Sequence, residues 1–311
     1  MTAGLAAAID LAPRHRRRTA ALIGSMSLAL GAGAGPLLAG LTASITTSPQ
    51  IPVFSAVGAL TVFALVVAIR LPVPNLPTKS TLSRRMSWPT VPRDNRRHLL
   101  LGIVTFAPGV TSTSFMLSTG LAVLANGLGY RGPMLTGAIA FTMYLCSNVA
   151  QFVLANRSTR AHLQLSSVAA IASMAASVGS LTPWPSPFLF VLAAVTAGAA
   201  QTFGQLAGIT LISAHVPDDR RAEANAVLNI AGYFPAGLRA VATGFAIDAA
   251  GLAPAVITFS TVVGASAACS LVLVRKATAR INSTAGAVVV SDSESCPISF
   301  QALSKPDCFD R

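Results

Sequence analysis

An all-α integral membrane protein, a helical bundle with about eight transmembrane spans, is predicted by three observations. Hydrophobic residues make up 53% of the 311 residues and charged residues 10%, and the mean hydropathy is +0.65. A chain of this size cannot hide that much apolar surface inside a water-soluble globule. Uncharged stretches of about 20 residues, enough to cross the hydrocarbon core, recur along most of the chain. Finally, 20 of the 22 Lys and Arg residues fall on alternate connections between those stretches.

The first 12 residues are mildly apolar, carry Asp10 and are too short to span. They lack a basic region ahead of an apolar core and do not read as a cleavable signal peptide. Spans one and two, residues 20–45 and 52–70, follow the basic cluster Arg14, His15, Arg16, Arg17 and Arg18 and are separated by the polar Thr46 to Pro52. The loop over 71–97 holds Pro72, Pro74, Pro77, Pro89 and Pro92 among basic residues, the composition of a solvated hinge between bundles. Spans three and four cover 99–126 and 132–155, with Arg131 between them. Spans five and six cover 163–181 and 187–214, divided by a Pro-rich turn in which Trp184 sits where an interfacial aromatic is expected. Spans seven and eight cover 223–247 and 253–274, and the Ser-rich tail over 277–311 is expected to be disordered.

The formal charge of +12 could suggest nucleic acid, but its distribution decides otherwise. Only Arg131 lies on the opposite side and only Arg239 inside a span. This positive-inside pattern puts both termini in the cytoplasm of a multi-pass cell-membrane protein, with the lipid bilayer and its anionic headgroups as partners of the basic loops. No nucleic-acid role is implied.

Cys146 and Cys269 lie in spans and Cys296 and Cys308 in the tail, so no disulfide framework is expected. Histidines 15, 98, 162 and 215 sit at span ends without a cysteine or carboxylate cluster at ligand spacing. There is no phosphate-loop or nucleophile-elbow motif. The expectation is no metal, no cofactor and no enzyme.

A shift of 204 residues lays Pro13 on Pro217, Arg16 on Arg220, Arg17 on Arg221, Gly33 on Gly237 and Gly40 on Gly244. Two short basic loops, each opening a small-residue helix, thus recur in the same orientation, as parallel repeats require.

The loop and helix from Asp10 to Gly40 resemble the fourth-to-fifth helix connection and fifth helix of a major facilitator superfamily permease. Within them, Gly31-x3-Gly35-Pro36-x2-Ala39-Gly40 is similar to the antiporter motif of the drug:proton antiporters, with Ala39 in place of a glycine. Val216 to Asn225, followed by Asn229 to Pro235, is similar to the tenth-to-eleventh helix connection of the same family. The resemblance implies a partial major facilitator fold. Residues 1–70 would be the remnant of the N-terminal six-helix half, with two full spans; 71–97 the cytoplasmic inter-bundle loop; 98–276 the C-terminal half; and 277–311 a cytoplasmic tail. By the repeat, the first half would begin about 106 residues before Met1, leaving about three and a half helices missing. Efflux of small organic molecules by alternating access is the implied function. A truncated, non-transporting fragment or an interaction subunit is the alternative. Protons are the implied coupling ion, and the oligomeric state stays open.

Side-chain amides and hydroxyls are costly in a bilayer unless they face the bundle interior, so they mark the candidate cavity. Thr111, Ser114 and Ser118 share a face of span three; Asn148 with Gln151 and Gln201 with Gln205 are each about one turn apart; Asn229 and Arg239 share a stripe in span seven. Interhelical hydrogen bonding is the competing role for each. Arg239, the intramembrane cation, is expected to face the cavity or to snorkel outward. Gly31, Gly35, Pro36 and Gly40 are expected to allow close helix approach, to bend the helix as a hinge, or both. None of the ten Asp and Glu residues lies deep in a span, so no intramembrane proton carrier is evident.

Overall fold

The computed structural model describes residues 17–70, 96–130, 132–154, 157–181, 185–217 and 220–294. The 71–95 part of the Pro-rich loop, Trp184, Arg131, and the acids Asp10, Asp218 and Asp219 lie outside the described residues, as do Cys296 and Cys308. Eight long α-helices follow one another: α1 (Arg17–Ile45), α2 (Gln50–Arg70), α3 (Arg96–Ala122), α4 (Pro133–Val153), α5 (Thr159–Gly179), α6 (Pro187–His215), α7 (Arg221–Ala250) and α8 (Leu252–Glu294). Each expected span falls on one of them. Seven are long and apolar enough to cross a membrane; in α1 the apolar stretch found among the described residues, Leu30–Ile45, is shorter.

Local chemistry sets the ends. Pro133 and Pro187 open α4 and α6 at the first helical position, where a missing N–H costs nothing and φ is already helical. Ser158 caps α5, its hydroxyl oxygen accepting from the Ala161 N–H at 3.3 Å. Gly251 closes α7 with φ of 87°, a conformation that an L side chain rarely adopts. At the far end of α3 the helix widens into a π-turn over Val123–Gly127, where the Leu128 N–H reaches back to the Val123 carbonyl at 3.0 Å.

The membrane-length apolar part of the last helix closes at Ala277, and the helix continues to Glu294. Once a helix is nucleated, extension is cheap.

α3 is the centre of the bundle, packed against α5, α6, α7 and α8. It runs antiparallel to α6 at backbone distance. A Cβ on Gly102 would lie 3.1 Å from Gly208 Cα, and one on Gly109 would lie 2.6 Å from the Ala200 carbonyl carbon. Hydroxyls then bridge helices: Thr113 donates to the Ala197 carbonyl at 3.1 Å, Ser166 to those of Ala200 at 2.8 Å and Thr105 at 3.1 Å, and Ser173 to that of Ala193 at 2.8 Å. Ser270 of α8 donates to the Val104 carbonyl of α3 at 2.6 Å. Lipid tails are as apolar as leucine, so such close backbone contacts and hydroxyl bridges carry the association of the helices. Larger apolar side chains fill what remains. Phe115 and Phe259 stack at 4.4 Å in one cluster, and Leu99, Phe106, Ile212 and Leu228 gather in another.

α1 joins this bundle chiefly through α4, and α2 packs on α1 with none of its residues buried. The α1–α4 crossing is antiparallel: Gly33 faces Phe141 and Tyr144, Gly137 faces the Pro36 carbonyl, and Gly40 faces Pro133 and Met134. A Cβ added to Gly31 or Gly35 would meet nothing within 4 Å, so close approach is made by Gly33 and Gly40, on the opposite side of the helix. Pro36 lies inside α1 and presents its carbonyl to Gly137.

Candidate functional site

The mid-span polar residues come from α4, α6 and α7. The placing step is a glycine: a Cβ on Gly232 would fall 2.5 Å from Phe106 Cε1, so only a glycine lets α7 lie against the fully buried Phe106 ring of α3. Its neighbour Tyr233 is thereby held edge-on to Phe106, with ring centroids 5.7 Å apart and planes at 80°. Gln201, at the middle of α6, lies beside the Tyr233 side chain. From α4, Tyr144 lies in the neighbourhood of Tyr233. Two phenols and an amide from three helices thus converge halfway along the spans.

The other expected residues divide around this cluster. Asn148 lies one turn beyond Tyr144 and is half-buried, with its amide nitrogen donating to the Tyr144 carbonyl at 2.6 Å. Asn229 lies one turn before Tyr233, its amide nitrogen donating to the Asn225 carbonyl at 2.9 Å. Gln151 and Gln205 are half-buried. On α3 the expected polar face is graded: Thr111 is buried with its hydroxyl on the Ala107 carbonyl at 2.7 Å, Ser114 is half-buried, and Ser118 is exposed. Thr111 is therefore held by its own helix, as hydroxyls in apolar surroundings commonly are. Arg239 is half-buried and lies seven residues from Gly232 and three from Ala236, on the stripe that α7 buries through Leu228, Gly232, Ala236 and Thr243.

Sequence reasoning that searches for amides alone misses Tyr144 and Tyr233. Each stands four residues from an asparagine, which is the signal that could have found them. The histidines expected at span ends also acquire a partner: His98 at the start of α3 and His215 at the end of α6 stack at 3.8 Å with planes 13° apart. Among the described residues no group of three or more His, Cys, Asp or Glu side chains could hold a metal ion. Glu223 in the first turn of α7 sits 4.0 Å from Arg220, and Asp248 near its other end is exposed, so neither acid reaches mid-span.

A multi-pass helical bundle that gathers hydrogen-bonding groups from several helices into its middle is the architecture of a membrane transporter. The profile of the Major Facilitator Superfamily matches residues 1–238, and the chain belongs to that family. No curated protein and no solved structure matches it significantly.

Proposed function

We propose that this chain is a permease that exports small organic molecules across the cell membrane by alternating access, with both termini on the cytoplasmic side. The observation that carries the reading is the convergence of Tyr144, Gln201 and Tyr233 at mid-span. Phenol and amide groups held in apolar surroundings discriminate strongly among ligands, because a ligand that fails to satisfy them leaves them unpaired. The exposed Tyr233 ring beside Phe106 offers a stacking surface, and Arg239, on the stripe of Gly232 and Ala236, offers a cation. Gln205, Asn229, Asn148, Gln151, Ser114 and Ser118 complete the proposed lining. The motif from Gly31 to Gly40 favours the drug:proton antiporter branch, with protons as the coupling ion. The basic residues on alternate connections support the orientation.

The test is flux in vesicles containing the purified chain, comparing wild type with Gln201→Ala, Gln205→Ala, Tyr233→Phe and Arg239→Ala. A selective loss in the variants supports the site. Unchanged flux in all four removes it, and a folded wild type that moves no organic cation, anion or neutral solute refutes the permease reading in favour of a non-transporting membrane protein.

A further inference from the structure

Two histidine rings join the start of α3 to the end of α6, about 21 Å along α6 from Gln201. His98 and His215 are each half-buried and lie face to face, with centroids 3.8 Å apart and planes at 13°. Leu99 and Val216, the next residue along each chain, are buried in one cluster with Ile212. α7 is fastened at the same place: the Arg221 guanidinium donates to the Ser213 carbonyl at 2.6 Å and to the Val216 carbonyl at 3.1 Å, on either side of His215. Three helix ends thus meet at one clasp.

The bonding of the two rings decides how the clasp answers a proton. His215 Nδ1 lies 3.1 Å from the Leu211 carbonyl, which only accepts, so this nitrogen carries the hydrogen and Nε2 takes any further proton. His98 Nδ1 is closed to water and has no hydrogen-bond partner. An imidazolium carries a hydrogen on both nitrogens, so a His98 cation in the stack would strand a donor there. A proton on each ring sets two cations face to face at 3.8 Å, where they repel.

The charges around the clasp offer little relief. Arg96 and Arg97 precede His98, Arg220 and Arg221 open α7, and Arg275 and Lys276 lie at the corresponding end of the apolar part of α8. At the α4–α5 connection stand Arg157, Arg160 and His162, and the His162 ring is held on the Leu154 carbonyl at 3.0 Å. Among the described residues the acid of these helix ends is Glu223, 4.0 Å from Arg220. Asp218 and Asp219, between α6 and α7, lie outside the described residues.

We propose that the His98–His215 stack is a pH-sensitive clasp, which holds the ends of α3 and α6 together while both rings are neutral and releases them on protonation. A freely solvated histidine titrates near about pH 6.5. Because the clasped form binds protons less readily than the released one, the hold is complete above that pH and is lost as pH falls below it. Opening at this end of the bundle then depends on pH whatever solute the chain moves.

Hydrogen–deuterium exchange of the whole chain in micelles, at about pH 7.5 and about pH 5.5, tests this, with each rate divided by the intrinsic rate at that pH. Amides over 100–105 and 209–215 should lose protection about ten-fold at the lower pH, the change produced by a one-unit difference in histidine pKa between the two forms. Those over 112–118, deeper in α3, should not change. The double variant His98→Phe, His215→Phe keeps two rings that take no proton and should be equally protected at both pH values, whereas His162→Phe should respond as wild type does. No loss of protection in wild type overturns the proposal, as does a full response in the double variant or an abolished one in His162→Phe. If the double variant does not fold, His215→Phe alone decides: without the second cation the response should fall about two-fold or more, and an undiminished response overturns the proposal.

Discussion

Gly40→Ala tests the α1–α4 crossing directly. The added Cβ would fall 2.5 Å from the Pro133 carbonyl oxygen and 3.1 Å from Met134 Cα. Carbon and carbonyl oxygen normally approach no closer than about 3.3 Å, so the two helices must separate by about 0.8 Å. The opposing atoms are backbone, and no side-chain rotation relieves the contact. Overpacking of this kind costs about 1–3 kcal/mol. The control is Gly35→Ala, on the same helix, where nothing lies within 4 Å of the new Cβ. Both changes gain the same helix propensity of about 1 kcal/mol, so their difference isolates the contact. Hydrogen–deuterium exchange of the α1 amides over Leu30–Ile45, read by mass spectrometry in micelles, measures local opening. Gly40→Ala should exchange roughly 5- to 150-fold faster than Gly35→Ala. Equal rates, or faster exchange in Gly35→Ala, would show that α1 is not held where the structure places it.

Other perturbations probe the rest of the bundle. Gly109→Ala drives a Cβ to 2.6 Å from the Ala200 carbonyl carbon and should prevent recovery of a folded, monodisperse protein, whereas Gly237→Ala, with nothing within 4 Å, should leave elution and melting unchanged. Ser166→Ala removes two bridges, to Thr105 and Ala200, and should lower unfolding stability in SDS–micelle titrations by about 1 kcal/mol. His215→Ala should lose about 0.5–1.5 kcal/mol in the same titration, and His215→Phe, which keeps a ring against His98, should recover most of it.

The spans were legible because each depends on a property summed over some 20 residues, and a sum survives local noise. The packing was less so. Gly31, Gly35, Gly33 and Gly40 look alike in sequence, and which pair meets a neighbour depends on the rotation of α1 about its axis, fixed only by its partner α4. The Gln201 contact is a similar case. The amide marks a polar face, but the phenol it meets lies 32 residues away on a different helix. Thr111 shows another ambiguity: its hydroxyl donates to the Ala107 carbonyl of its own helix, a bond that the sequence does not distinguish from a cavity-facing one.

The α1–α4 crossing also has a mechanical side. Interlocked side chains behave like gear teeth, and moving past them requires the whole set to disengage. Around Gly40 and Gly137 the mating surfaces are nearly bare backbone, closer to a journal in its bearing. With α2 packed on α1, the two helices meet the rest of the bundle chiefly through that one joint.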